Sequence, residues 1–132
     1  MVSISGWAAF ALLFVAALLP LGLRARDKKR AAPSSPPMRA HVAIGLGVTG
    51  VAFVHILFVL PALGSPAAVA GGFTALAPGA LAFFVLMAHT GVGLQLRNEK
   101  LKERPKKRRL HVTTASLVAL AAAAHTWLLL RT

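Results

Sequence analysis

Histidine is the residue type in this chain whose number and spacing point to chemistry. The 132 residues include five histidines, at positions 41, 55, 89, 111 and 125, but no cysteine and only three acidic residues. The absence of cysteine excludes disulfides, thiolate metal sites and cysteine nucleophiles. The acidic residues all lie beside basic ones, so the apolar stretches hold no carboxylate pair for hydrolysis. Ionisable residues inside apolar stretches are candidates for function, and here they are all imidazoles.

The charged residues lie almost entirely in two short segments. Residues 24–39 carry a net charge of +5 and residues 97–109 a net +6, out of a formal total of +12. Residues 1–23, 40–96 and 110–130 contain no Asp, Glu, Lys or Arg. A membrane-spanning helix needs about 20 mostly apolar residues, so these three stretches have room for four spans.

Prolines and glycines between residues 61 and 79 divide the longest apolar stretch into two spans. The sequence therefore predicts an all-α fold, a single four-span membrane domain over residues 1–132, arranged as an up-down-up-down four-helix bundle. Basic loops are expected at 24–39 and 97–109, with Pro105 interrupting the second loop. We expect the helices near residues 4–23, 40–62, 76–97 and 110–130.

Both basic segments fall on the same side of a four-span protein. Positive charge favours the cytoplasmic side, so we expect an integral multi-pass protein of a bacterial inner membrane with both termini outside. The basic segments lack interleaved aromatic residues on which bases could stack, which argues against nucleic acid as a partner. Membrane lipid, through its anionic headgroups, is the expected contact.

Four of the histidines form two matched pairs. His41 and His55 lie 14 residues apart in the second predicted helix, and His111 and His125 lie 14 apart in the fourth. Fourteen residues return to within about 40° of the starting direction, so each pair shares one helix face. The two members lie about 21 Å apart along the axis. Because the second and fourth helices run parallel, His41 is expected level with His111, and His55 level with His125.

The residues between the paired histidines on these faces are mostly small. Two imidazoles at one level can hold a haem iron from both sides, and small residues leave room for the flat macrocycle. We expect two non-covalent haem b groups, one on His41 and His111 near the cytoplasmic side and one on His55 and His125 near the outer side. The intervening residues at equal offsets are Gly45 and Ala115, Val48 and Val118, and Ala52 and Ala122.

The two halves of the chain resemble each other around the histidines. The tetrapeptide RAHV at 39–42 recurs as RLHV at 109–112, and the second histidine recurs at the same displacement. Over residues 40–130 the pattern resembles the dihaem transmembrane cytochromes b, such as those of quinol-oxidising complexes and of ferric-reductase-type membrane domains. Only the four paired histidines match that family residue by residue. The resemblance implies electron transfer across the bilayer between a donor and an acceptor, such as a quinone or a soluble redox protein.

Two other function classes remain open on the sequence. One is a small stand-alone quinone or oxygen-species oxidoreductase, although we expect an electron-transfer protein rather than an enzyme. The other is a non-redox membrane adaptor whose histidine pairs are structural. Zinc and copper are disfavoured, because ligands about 21 Å apart do not converge on one ion.

The fifth histidine, His89, has no partner in this pattern. We expect it about 12 Å inside the third helix, at a depth between the two histidine levels. It is expected to bond to a neighbouring carbonyl or to Thr90. A contact with a haem edge, a proton relay and a quinone contact are the alternatives.

Overall fold

Four long helices make up the computed structural model, which describes residues 2–28, 31–64 and 72–131. No strand occurs in these ranges, and the prediction of an all-α four-helix bundle is confirmed. Each of the four helices is long and apolar enough to cross a membrane. The helices are α1 (Val2–Asp27), α2 (Pro36–Val59), α3 (Gly72–Gln95) and α4 (Arg104–Leu129), with a 3₁₀ turn at Leu60–Ala62 after α2.

Three helices extend beyond the apolar stretches into the basic segments. α1 continues to Asp27, α2 begins at Pro36 and α4 begins at Arg104, so both connections are shorter than the predicted basic loops. Lysine and arginine are good helix formers, and charge alone does not end a helix. The expectation that Pro105 interrupts the second loop is wrong, because this proline lies in the first turn of α4. In a first turn its missing N–H leaves no helical bond unmade.

Neighbouring helices run antiparallel. α1 packs closely on α2, and α3 packs closely on α4, whereas these two hairpins approach each other at fewer positions. The hairpins are joined by a hydrogen bond of 2.8 Å between the hydroxyls of Thr49 and Thr90, and by contact of the Phe53 and Phe83 rings. The predicted up-down-up-down order is therefore observed. The predicted turn between α2 and α3 falls partly on residues 65–71, which lie outside the described residues.

α2 and α4 are parallel and lie diagonally across the bundle. Among the described residues, no Cα atom of α2 comes within 8 Å of a Cα atom of α4. The end of the bundle that carries residues 24–39 and 97–109 is called the basic end here, and the opposite end the far end. The diagonal arrangement leaves the histidine-bearing faces of α2 and α4 directed across the bundle at one another.

A small apolar layer occupies the middle of the bundle. Each helix contributes one buried side chain to it, namely Ala16, Val48, Leu86 and Val118. Most other large apolar side chains point outward, as Phe84 and Leu120 do, which suits a lipid environment. Since Val48 and Val118 lie midway between the paired histidines, this layer separates one histidine level from the other.

Candidate functional site

The five histidines lie at two levels of the bundle. His41, His89 and His111 are at the basic end, and His55 and His125 are at the far end. The ring centroids of His41 and His111 lie 6.2 Å apart, with the ring planes at 88°. The two rings thus meet edge to face, although no Cα atom of one helix comes within 8 Å of a Cα atom of the other.

Two of the paired histidines have a fixed tautomer. Nδ1 of His41 lies 2.9 Å from the carbonyl oxygen of Ala16, and Nδ1 of His125 lies 2.8 Å from that of Ala75. A carbonyl can only accept, so each Nδ1 carries the proton and donates it. In the neutral imidazole Nε2 then keeps its lone pair, which is the form in which histidine binds a metal.

The carbonyl that receives His41 is made available by a proline. In an α-helix the carbonyl of Ala16 would bond to the N–H four residues later, which is position 20. Pro20 lies inside α1 and has no N–H to offer. The oxygen of Ala16 is therefore left without its helical partner and takes the imidazole of His41 instead.

His55 is oriented in the same way by the far end of α1. Its Nδ1 lies 3.0 Å from the hydroxyl oxygen of Ser5. The next residue, Gly6, brings the backbone of α1 against the ring, since a Cβ at this position would lie 3.1 Å from Cε1 of His55. Ser5 therefore provides the hydrogen-bond partner of the ring, and Gly6 leaves space for the ring against the backbone of α1.

Two glycines of α3 lie against the rings of the two histidines of α4. A Cβ at Gly79 would lie 2.8 Å from Cε1 and Nδ1 of His125, and a Cβ at Gly93 would lie 3.0 Å from Cε1 of His111. Any larger residue at either position would have to displace the histidine ring that it faces. Gly79 and Gly93 are separated by 14 residues, the same spacing as the two histidines they face.

His89 lies against the basic-end pair rather than between the two levels. Its ring stacks on that of His111, with centroids 3.9 Å apart and planes within 13°. Its Nδ1 donates to the carbonyl oxygen of His111 at 3.1 Å and to the hydroxyl of Thr114 at 2.9 Å. The predicted bond to a neighbouring carbonyl is observed, but Thr90 bonds to Thr49 instead.

His111 differs from the other paired histidines in one respect. Its Nδ1 is buried and has no hydrogen-bond partner, and no other buried side-chain nitrogen or oxygen in the described part of the chain is left in this state. The other three paired histidines all have an oxygen at Nδ1. A buried polar atom without a partner is unusual in a native fold and requires a reason.

The donor set restricts the kind of metal centre that the chain could hold. Within residues 2–28, 31–64 and 72–131, no three His, Cys, Asp or Glu side chains are grouped so that they could hold one ion. A haem iron, in contrast, takes its remaining ligands from the macrocycle and needs only two from the protein. At the basic end the structure brings two imidazoles together, those of His41 and His111.

The sequence prediction named the four paired histidines but not the residues that orient them. Ser5, Gly6, Pro20, Gly79 and Gly93 were all visible in the sequence, and the spacing of 14 between the two α3 glycines was a usable signal. Comparison of the chain with protein-family models, with curated proteins and with solved structures gives no match.

Proposed function

We propose that this chain is a dihaem membrane cytochrome of the b type, which carries electrons between the two faces of a bilayer. The observation that carries the proposal is the placement of His41 opposite His111 on diagonal helices, with ring centroids 6.2 Å apart. An iron held at about 2 Å by one nitrogen of each ring would set the centroids about 6 Å apart. The separation of 6.2 Å is compatible with this requirement and supports the proposal.

The surroundings of the histidines also fit haem ligation. Histidines that bind a metal through one nitrogen usually donate the other N–H to a protein oxygen, which fixes the ring and raises its basicity. His41, His55 and His125 all have such an oxygen at Nδ1. A structural role as helix–helix contacts would not require the same nitrogen to be engaged three times.

In this proposal each residue has a definite task. His41 and His111 bind one haem, and His55 and His125 bind the other. Bound haem supplies reversible one-electron exchange at its iron, with no bond to the substrate. The apolar layer that includes Val48 and Val118 excludes water from the path between the two levels.

The orientation that we propose follows from the basic segments. Lys- and Arg-rich connections favour the cytoplasmic side, which would place the basic-end haem there and both termini outside. An electron taken from a donor at one face, a quinol or a reduced soluble redox protein, would pass through both levels to an acceptor of the same classes at the other. The bacterial inner membrane is the proposed location.

The proposal is tested by the haem content of the purified protein. We expect a visible spectrum of low-spin b-type haem and two haems per chain, all extractable with acidic acetone because no cysteine is present to hold them. Ser116→Ala is a suitable control, since this exposed hydroxyl bonds only within α4 to the carbonyl of Val112. A protein without haem would refute the proposal and favour the structural role for the histidines.

A further inference from the structure

Nearly all the positive charge of the chain lies at the basic end. Of the 15 lysines and arginines, all but Arg131 are in residues 24–39 and 97–109, and the whole chain has only three acidic residues. In the part of the chain that the structure describes, the acidic side chains form two ion pairs, both between exposed side chains. The surplus of positive charge at the basic end is therefore not neutralised within the protein.

The connection between α3 and α4 has a fixed shape. The guanidinium group of Arg104 donates to the carbonyl oxygen of Leu96 at 2.8 Å and to that of Asn98 at 3.2 Å. The side-chain oxygen of Asn98 accepts from the backbone N–H of Lys100 at 3.0 Å. Arg104 thereby joins the two ends of the connection, and the exposed side chain of Lys102 is presented from a segment that these bonds hold in place.

This connection extends past the lipid headgroups. α4 begins at Arg104, whereas the apolar stretch that it contains begins at residue 110. The intervening turns are about 9 Å long, and one headgroup layer is about 5–8 Å thick. Lys102 comes just before the first residue of α4, so its charge is accessible to a soluble protein as well as to headgroups.

We infer that the basic end is the docking surface for a soluble redox protein with an acidic surface around its cofactor, and that Lys102 belongs to the contact. The inference rests on the proposed function. Complementary charge speeds such encounters and selects the face that docks. Arg131 is the only charged residue outside the two basic segments, so the far end has no comparable surface.

The position of the basic end also determines which haem would exchange electrons with the docked protein. His111 lies about 11 Å along α4 from Arg104, and the far-end ligand His125 lies about 21 Å deeper. A protein docked on the basic end is therefore closer to the basic-end haem. One electron passes from the reduced partner to the ferric iron of that haem, so the partner is oxidised and the iron reduced, with no bond formed or broken.

The test uses a plant-type [2Fe–2S] ferredoxin as the acidic soluble carrier, and the protein in nanodiscs of neutral phosphatidylcholine. Calorimetry measures binding of oxidised ferredoxin, and stopped-flow spectroscopy measures haem reduction by reduced ferredoxin. Raising the salt from about 0.01 M to about 1 M shortens the Debye length from about 30 Å to about 3 Å. We expect the affinity and the second-order rate constant to fall about tenfold or more over this range.

Two charge reversals at opposite ends provide a matched pair of variants. Lys102→Glu and Arg131→Glu make the same change in net charge, and both side chains are exposed. Lys102→Glu should weaken ferredoxin binding and slow haem reduction about three- to tenfold at low salt, and the difference should vanish at high salt. Arg131→Glu should leave the affinity and the rate unchanged. Both variants should keep the haem content of the unmodified protein.

The outcomes separate this inference from the proposed function. Binding and rates that respond neither to salt nor to Lys102→Glu would overturn the inference, because the basic side chains would then serve membrane topology and headgroup contact alone. An equal effect of Arg131→Glu would also overturn it, since net charge rather than a docking surface would be responsible. Absence of haem from the unmodified protein would overturn the proposed function. The two failures are distinguishable because calorimetry detects ferredoxin binding with or without haem.

Discussion

The closest approach between a histidine ring and a neighbouring backbone gives the sharpest prediction. In Gly79→Ala, the new methyl group would lie 2.8 Å from Cε1 and Nδ1 of His125 and 3.0 Å from Nε2. Carbon atoms prefer separations of about 3.5–4.0 Å, so the ring must move by roughly 1 Å. A movement of that size breaks the bond of 2.8 Å between Nδ1 of His125 and the carbonyl of Ala75.

The magnitude follows from three contributions. Overpacking of this kind costs about 1–3 kcal/mol. Loss of the hydrogen bond destabilises the fold by about 1 kcal/mol. Alanine in place of a helical glycine stabilises the helix by about 0.5–1 kcal/mol. The free energy of unfolding should therefore fall by about 1–3 kcal/mol. In the proposed function, displacement of His125 should also weaken binding of the far-end haem by about 10–100-fold.

The assay measures haem per chain, the visible spectrum and the midpoint of thermal unfolding in detergent. Gly91→Ala is the matched control on the same helix, because a Cβ at Gly91 meets nothing within 4 Å. This control should bind both haems and be slightly more stable than the unmodified protein. If Gly79→Ala kept both haems with unchanged spectra and stability, the argument that this glycine makes room for a ligand would be refuted.

Three further predictions follow from the histidine geometry and from the distribution of charge. His41→Ala and His111→Ala should each remove the same spectral component, and His55→Ala and His125→Ala should each remove the other; loss of different components within one pair would contradict the pairing. Pro20→Ala should stabilise α1 by up to about 3 kcal/mol but weaken the affinity for the basic-end haem, because the carbonyl that His41 uses regains its helical partner. Thermal unfolding measures the first effect and titration of the protein with haem measures the second. A reporter fused after residue 132 should be active only outside the cytoplasm, and a cytoplasmic signal would invert the proposed orientation.

The parts of the fold that were predictable from sequence are those that depend on the membrane. Apolar stretches without charge must become helices in lipid, because only a helix satisfies its own backbone there. The levels of His41 and His111 then follow from helix geometry and from equal distances to the basic segments. The ends of the helices did not follow, because beyond the apolar stretches both helix and loop are compatible with water, as the start of α4 at Arg104 illustrates.

The environment of each histidine was not predictable, for a different reason. Helical periodicity assigns a residue to a face, but the contact between two helices depends on their relative rotation and axial shift. To predict that His89 stacks on His111, or that Gly79 contacts His125, one must know both the rotation and the axial shift. The sequence places His89 at a depth between the two histidine levels, whereas the packing of α3 on α4 puts its ring at the basic-end level, stacked on His111.

Each hairpin orients its own histidines. Nδ1 of His41 and of His55 each meets an oxygen of α1, Nδ1 of His125 meets an oxygen of α3, and His111 stacks on a ring of α3, so each of these contacts lies within one hairpin. This organisation parallels the recurrence of the tetrapeptide RAHV at 39–42 as RLHV at 109–112. Each hairpin therefore contains both its histidines and the residues that contact them. Direct contact between the hairpins is sparse. A group bound by one histidine from each hairpin would therefore stabilise their association, because its binding energy would be available only when the two hairpins are together.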